Sequence, residues 1–338
     1  MYSLQEDISL KPYNTFGIDV KAHFFAEIFN EEDLGELSRQ PVFADNKVLV
    51  LGGGSNMLFT EDYNGLVLKV SIPGIEADHF GNRVMVTAGA GVVWNNLVNY
   101  CVEHDYAGME NLSLIPGTVG ASPIQNIGAY GVELKDIFEC CTAFNMATGK
   151  IVKFDYADCH FAYRDSIFKN ELKGQYIITS VTFKLNTDVK INSQYGAIQS
   201  VLAERNITHP TIADISKIVA EIRVSKLPDP STIGNAGSFF KNPIIEQKAY
   251  DVLKQSFPHL ISYPAGEGKM KLAAGWLIEQ CGFKGVVDGR TGTWKNQALV
   301  LVNHGNVTGK EVYSFSEKII DTVWVKFNVK LEREVNVL

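Results

Sequence analysis

The sequence has no long basic run. Its 31 Lys and Arg are outnumbered by 38 Asp and Glu, for a net charge of −7. That balance disfavours nucleic acid as a partner, and no basic stripe with interleaved aromatics appears. An anionic ligand would need a local cluster of Lys and Arg rather than a global field. There is no CxxC pair among the five cysteines Cys101, Cys140, Cys141, Cys159 and Cys281. An odd count without that spacing fits reduced thiols in a cytosolic protein, packed as small apolar residues. The seven histidines form no HxxxH or HExxH pair, so no metal site is expected. No apolar run reaches the ~18 residues that span a membrane. Residues 1–7 carry neither a basic nor an apolar leader region, so no signal peptide is expected and the location expected is the cytoplasm.

What is present is a chain of 338 residues, long enough for two or three domains and a large core. Hydrophobic residues make up 46% and charged residues 20%, the balance of an ordinary soluble globular protein. Val48–Leu51 reads as a buried strand ending at Gly52-Gly-Gly-Ser-Asn56. Residues 65–70 and 83–87 read as further strands, the second leading into Ala88-Gly-Ala-Gly91. A helix is expected over 92–104, with Val93, Leu97, Tyr100 and Cys101 on one face. Strands are expected at 137–147, 151–155 and 176–185, with a hairpin turn at 147–150. Helices follow at 196–206 and 211–223, the second opened by a Thr211/Asp214 capping box. Leu227-Pro-Asp-Pro230 marks a boundary. Beyond it, Met270–Gln280 reads as an amphipathic helix closed by Gly282, residues 298–302 as a strand, and Thr308/Glu311 as the cap of a long final helix. Alternation near the end places Leu331, Val335 and Val337 on one face and Glu332, Glu334 and Asn336 on the other.

The stretch from Ser113 to Gly131 organises the rest. It lies in a charge-free run, Asn111 to Val132, and carries Gly117, Gly120, Gly128 and Gly131. Pro116 and Pro123 rule out a continuous helix. Leu114, Ile115, Val119, Ile124 and Ile127 are too apolar for an exposed loop of that length. Glycines at this density let backbone N–H groups approach a flat or phosphorylated ligand. Three glycine-rich turns therefore follow or join strands, at 52–54, 89–91 and 117–131. None is a Rossmann fingerprint: Met57 and Trp94 stand where a third glycine belongs, and no Walker lysine is present. Three such turns in one α+β domain suggest a nucleotide cofactor held by backbone loops in another topology.

The motifs also resemble a known family. In order they are Asn14-Thr-Phe-Gly17, Leu51-Gly-Gly-Gly-Ser-Asn56, the run Ile115 to Gly131, Tyr163-Arg-Asp-Ser166, Ser225-Lys-Leu-Pro228, the run Gly234 to Pro243, Ala274-Gly-Trp-Leu-Ile278 and Glu332-Arg-Glu-Val335. This set resembles the UDP-N-acetylenolpyruvoylglucosamine reductase (UDP-N-acetylmuramate dehydrogenase) family over nearly the whole chain. Tyr195-Gly196 is similar to the subtype with a tyrosine loop over the substrate. The resemblance implies an α+β fold: a two-subdomain FAD-binding domain of the vanillyl-alcohol-oxidase type, then an α+β substrate-binding domain. The implied division is 1–70, 71–225 with the tyrosine-loop insertion near 190–210, and 226–338, whose last strand returns toward the flavin.

The implied reaction uses NADPH to reduce non-covalently bound FAD, which then passes hydride to the enolpyruvyl ether of a UDP-sugar. A proton is added at the adjacent carbon and the product is UDP-N-acetylmuramate, a cell-wall precursor. Hydride addition builds negative charge on the conjugated carboxylate, which the site must stabilise before it supplies a proton. By motif match Arg164 and Glu334 are the stabilising pair and Ser238 the proton donor. Arginine suits a carboxylate because its fork is bidentate and permanently charged. Glu334 would act protonated, or through a water or the arginine. Cofactor contacts are expected from Thr15 and Phe16 near the adenine half. Others are expected from Gly52, Gly53, Gly54, Ser55 and Asn56, and from Pro116, Gly117, Gly120, Ala121, Ser122, Gln125, Asn126, Gly128, Ala129, Tyr130 and Gly131. Substrate or NADPH contacts are expected from Tyr163, Tyr195, Lys226, Asn242, Tyr263 and Gln297. The partners implied are small molecules only, with the protein a monomer. Only four residues follow Glu334, so a short, weakly anchored last strand is expected. Two other readings compete: a flavin oxidase of the same cofactor fold, and a non-catalytic flavin- or UDP-sugar-binding regulator.

Overall fold

A computed structural model describes residues 2–188 and 191–338. Lys190, within the tyrosine-loop insertion expected near 190–210, lies outside the described residues, as does Val189. The chain divides into two compact units. The first comprises the segments through Ile8, Ala22–Gly53 and Asn64–Arg223; the second comprises Ser9–Lys21, Gly54–Tyr63 and Val224–Leu338. Helices and strands are mixed throughout, the α+β class expected.

The first unit is built on two sheets. In one, Val48–Leu51 lies parallel to Tyr63–Val70, with Val48 opposite Leu66 and Val50 opposite Leu68. The other has five strands in the order Ile151–Asp155, Phe138–Asn145, Tyr176–Asn186, Arg83–Gly89 and Ile75–Phe80, all antiparallel. Alternation along Arg83–Gly89 buries Val84, Val86 and Ala88. They form one core with Trp94, Leu97, Val98 and Cys101 of the helix Trp94–Glu103. Val93, expected on the buried face of that helix, is instead an exposed residue just before its first turn. The turn at 147–150 forms as expected: Asn145 Oδ1 accepts the N–H groups of Ala147 and Thr148, and Gly149 takes φ +68°. The helices Gly196–Glu204 and Ile212–Lys226 bury Ile198 and Leu202 against Ile215, Ile218, Val219 and Ile222. Thr211 and Asp214 cap each other reciprocally.

The second unit has a sheet ordered Gly234–Ser238, Gln297–Asn303, Thr291–Trp294 and Val287–Asp288. A smaller sheet corrects one expectation. Lys269–Leu272 is a strand, not the first turn of a helix, and the helix is only Ala274–Gln280. The reason is two-sided pairing, Ile245 with Met270 and Tyr263 with Lys271. The Thr308/Glu311 box opens the helix Gly309–Phe327, which buries Val312, Phe315, Ile319 and Val323. The end of the chain is better anchored than expected. Asn336 and Val337 pair in parallel with Met57 and Leu58, and Thr60 donates both its N–H and its hydroxyl to the Leu338 carbonyl. Leu331 and Val335 are buried, whereas Val337, expected on the same face, is exposed.

Candidate active site

In the first unit Gly52 and Gly53 meet the 117–131 turn, and that turn meets 89–91, because their missing side chains let them. A Cβ on Gly53 would lie 2.8 Å from Gly117 Cα, and one on Gly52 would lie 2.5 Å from Thr118 Oγ1. A Cβ on Gly120 would lie 2.6 Å from Ala90 Cβ, and one on Gly91 would lie 2.3 Å from the Ser71 carbonyl carbon. Real Cβ contacts do not come so close: at Gly53, Gly91 and Gly120 any side chain would force the backbone to shift, whereas at Gly52 the Thr118 hydroxyl would have to turn away. Hydrogen bonds lock the convergence: Trp94 N–H to the Gly117 carbonyl at 3.0 Å, Val119 N–H to Val92 at 2.9 Å, Gly120 N–H to Ala90 at 2.9 Å. Among the described residues, the N–H groups of Gly53 and Gly117 meet no protein acceptor. Backbone donors without a protein partner on two closely packed glycines are available to an anionic ligand.

Not every residue expected at a cofactor faces outward. Ser122 is buried and donates its hydroxyl to the Val119 carbonyl at 2.7 Å. Asn126 is completely buried; its Nδ2 donates to the Ala162 carbonyl and the Glu133 carboxylate, and its Oδ1 accepts Lys135 N–H. These side chains shape the loop. Pro116, Ala121 and Gly131 are exposed on it, and Gln125, Gly128, Ala129 and Tyr130 are half-buried. Leu114, expected inward, is exposed with φ +57°.

Arg164 also takes a left-handed φ, +54°, at a tight turn closed by reciprocal bonds between Ala162 and Asp165. A non-glycine residue there is strained and persists only where its surroundings enforce it. The turn aims the guanidinium back along the Ser113–Gly131 strap. One terminal nitrogen donates to the Gly128 carbonyl at 2.6 Å and the other reaches the Asn126 carbonyl at 3.5 Å. The guanidinium carbon lies 5.5 Å from the centre of the Tyr163 ring. Tyr130 meets Tyr195 edge-on at 5.3 Å, and Tyr195 begins the helix Gly196–Glu204. Burial raises the Tyr130 phenol, with Arg223 opposing and Tyr195 adding.

Arg223 was not singled out from the sequence. Its Nε donates to the Leu114 carbonyl at 3.2 Å. Burial, and then the like charge of Arg164, hold it below the usual arginine range, while Tyr130 works the other way. The two guanidinium groups thus lie near enough for their like charges to interact. The sequence signal was faint: one Arg just after the buried Ile222 at the end of an apolar helical stripe.

In the second unit, Ser238 is exposed at the end of its strand, opposite Val300. Gly237 before it takes φ +67°, and its N–H donates to Asn235 Oδ1 at 3.0 Å. Glu334 is half-buried one strand away. Phe240 bridges Arg333, Glu334 N–H donates to the Phe239 carbonyl at 2.9 Å, and Lys241 N–H donates to the Glu332 carbonyl at 2.9 Å. Ser238 and Glu334 therefore lie on neighbouring extended segments.

Other expected residues of this unit are placed as follows. Asn56 donates to the Glu334 carbonyl at 3.3 Å, and its own carbonyl accepts Asn336 N–H at 3.1 Å. Gly54 takes φ +62°, and a Cβ there would lie 1.9 Å from the Tyr13 carbonyl oxygen. Thr15 exchanges bonds with Asn235, and its hydroxyl donates to the Asn235 carbonyl at 2.6 Å. Phe16 has no exposed surface and packs edge-on against Phe239 at 6.2 Å, so its ring is core rather than a contact for adenine. Ser55 is half-buried. Asn242 Oδ1 accepts Ala274 N–H at 2.9 Å. Gln297 Oε1 accepts Leu299 N–H at 3.3 Å and lies 2.8 Å from where a Gly275 Cβ would be. Lys226 ends its helix exposed, and Tyr263 is exposed on the small sheet.

Comparison with known proteins places this geometry. Residues 22–155 match an FAD-binding domain, and residues 229–338 match the C-terminal domain of UDP-N-acetylenolpyruvoylglucosamine reductase. The chain is 47% identical to the UDP-N-acetylenolpyruvoylglucosamine reductase of Flavobacterium johnsoniae, over 99% of both chains. It is 48% identical to that of Amoebophilus asiaticus over 99% of both, and 47% identical to that of Pseudomonas aeruginosa over 98% of both. The crystal structure of the Thermus caldophilus enzyme of that name shares the fold, with a TM-score of 0.68 at 22% identity, covering 100% of this chain and 99% of that one. The class is thus a flavoprotein oxidoreductase, with an FAD-binding domain and a distinct C-terminal domain. Within it, the chain belongs to the UDP-N-acetylenolpyruvoylglucosamine reductase family.

Proposed function

We propose that this enzyme reduces UDP-N-acetyl-3-O-(1-carboxyvinyl)-glucosamine to UDP-N-acetylmuramate with NADPH as electron source. It would act as a cytoplasmic monomer in peptidoglycan precursor synthesis, divided into functional parts at 1–70, 71–225 and 226–338. The observation that carries the reading is the exposed Ser238 hydroxyl on a segment bonded to that of Glu334. When bound, FAD supplies a hydride acceptor and donor. The turns at Gly52–Asn56 and Gly117–Gly131 hold its pyrophosphate, with the N–H groups of Gly53 and Gly117 as donors.

Arg164, backed by Arg223, meets the substrate carboxylate and stabilises the charge that grows on it. Ser238 delivers a proton to the adjacent carbon; as a hydroxyl is a weak acid, it passes on a relayed proton. Glu334 opposes the enolate only as a protonated or bridged carboxyl, because a bare carboxylate would repel it. Tyr163, Tyr195, Lys226, Tyr263 and the amide nitrogens of Asn242 and Gln297 bind the UDP moiety and the NADPH phosphates. The test is the visible spectrum under anaerobic conditions. NADPH alone should bleach the flavin, and the enolpyruvyl substrate should restore its colour with one product per flavin. Bleaching without restoration would contradict the substrate, and stoichiometric peroxide in air would favour an oxidase.

A further inference from the structure

Arg333, next to Glu334 in the chain, is spent on the helix Gly309–Phe327. Its Nε donates to Ser316 Oγ at 2.9 Å, and a terminal nitrogen pairs with the Glu317 carboxylate. Its guanidinium carbon sits 4.3 Å from the centre of the Tyr313 ring. Ser316 is fully buried and donates in turn to the Tyr313 carbonyl at 2.6 Å. Positions 313, 316 and 317 share one helical face, so a single side chain meets all three. The planar fork, held by a hydroxyl, a carboxylate and a ring, has little freedom left. The Arg333 backbone meanwhile bridges Phe240, two residues beyond Ser238.

An ordinary surface ion pair would matter little. This one differs: the Arg333 side chain is 19% exposed, and its neighbour is Glu334. In an extended segment successive side chains project to opposite sides. Fixing Arg333 toward the helix therefore turns Glu334 away from it. We infer that Arg333 is a positioning residue for Glu334, anchored by Tyr313, Ser316 and Glu317, so that the long helix sets the direction of the Glu334 carboxyl. This rests on the role proposed above for Glu334.

The test compares Arg333→Ala, Arg333→Lys, Glu334→Gln and the double variant Arg333→Ala/Glu334→Gln, all loaded with FAD. Anaerobic stopped flow separates bleaching by NADPH from re-oxidation by the enolpyruvyl substrate. A misplacement on the order of 1 Å costs about 100-fold, so Arg333→Ala should slow re-oxidation about 10–100-fold while bleaching stays within about twofold. Arg333→Lys, which keeps the charge but loses the fork, should fall between. The double variant should be no slower than Glu334→Gln, because the two residues act in series. Amide exchange at Glu334 should quicken in Arg333→Ala, a readout independent of turnover. Wild-type re-oxidation in Arg333→Ala beside a slow Glu334→Gln would overturn this inference alone. Multiplicative losses in the double variant, or equal falls in both half-reactions, would also overturn it. Wild-type re-oxidation in Glu334→Gln would sink the role of Glu334 and the positioning role with it.

Discussion

Glu334 donates its backbone N–H to the carbonyl of Phe239 at 2.9 Å, which ties the residue after Ser238 to the penultimate segment of the chain. Ninety-six positions apart in sequence, Ser238 and Glu334 are held by one short ladder whose other bond joins Lys241 N–H to the Glu332 carbonyl. Asn56 and the pairing of Asn336 with Met57 brace the same segment from its far side. Removing the last three residues, Asn336 to Leu338, should therefore leave NADPH bleaching intact and slow re-oxidation by the enolpyruvyl substrate at least tenfold. Stopped flow on the truncated enzyme checks this.

Gly53→Ala should cost flavin. The added Cβ would meet Gly117 Cα at 2.8 Å, backbone against backbone, which no rotamer relieves. Overpacking of this kind costs about 1–3 kcal/mol. The purified variant should show a lower flavin-to-protein ratio and a lower Tm. Gly35→Ala is the control, because its Cβ meets nothing within 4 Å and it lies inside the helix Glu31–Leu37. It should be neutral or stabilising by up to about 1 kcal/mol.

Acid should loosen the Arg333 anchor before it reaches the core. The Arg333 guanidinium holds the Glu317 carboxyl below the usual carboxylate range. A carboxyl lowered by folding stabilises the native state above its unfolded value, about 4.3, and loses that stabilisation as pH falls from there through its folded value. Thermal unfolding followed from pH 6 to pH 3 should show a drop below about 4.3 that is shallower in Glu317→Gln. An identical acid limb in the variant would contradict the pairing.

Thiol chemistry should report packing rather than function. Burial, helped by Glu110, pushes Cys101 up to about 12. Cys141, a free thiol hydrogen-bonded to the Cys159 thiol and buried, is raised as well, and Cys159 is buried with it. At pH 8 a thiol reagent should label Cys140 and Cys281 at most, and all five cysteines after unfolding. Native labelling of Cys101, Cys141 or Cys159, read by peptide mass, would contradict this.

Features encoded by neighbours in the chain were legible in it. The Thr211/Asp214 and Thr308/Glu311 boxes, the turn after Asn145 and the strand Ile151–Asp155 need only residues a few positions apart. The glycines of the strap were visible too, but not what they face; that Gly53 meets Gly117 and Gly120 meets Ala90 is a property of the folded chain. Lys269–Leu272 misled because four residues of mixed polarity fit a helix start as well as a strand, and only pairing on both sides decides. Phe16 went astray for a related reason: the motif marks a Gly-bounded turn, yet the ring turns inward onto Phe239. Arg223 and the anchor of Arg333 depend on partners far away in sequence, which no periodicity signals.

The central claim is that Ser238 handles the proton after the flavin has been reduced. Anaerobic stopped flow on Ser238→Ala tests it. General acid catalysis contributes about 10²–10⁴-fold, so re-oxidation by the enolpyruvyl substrate should fall by that much while NADPH bleaches the flavin at the wild-type rate. Re-oxidation at the wild-type rate in Ser238→Ala would contradict the account.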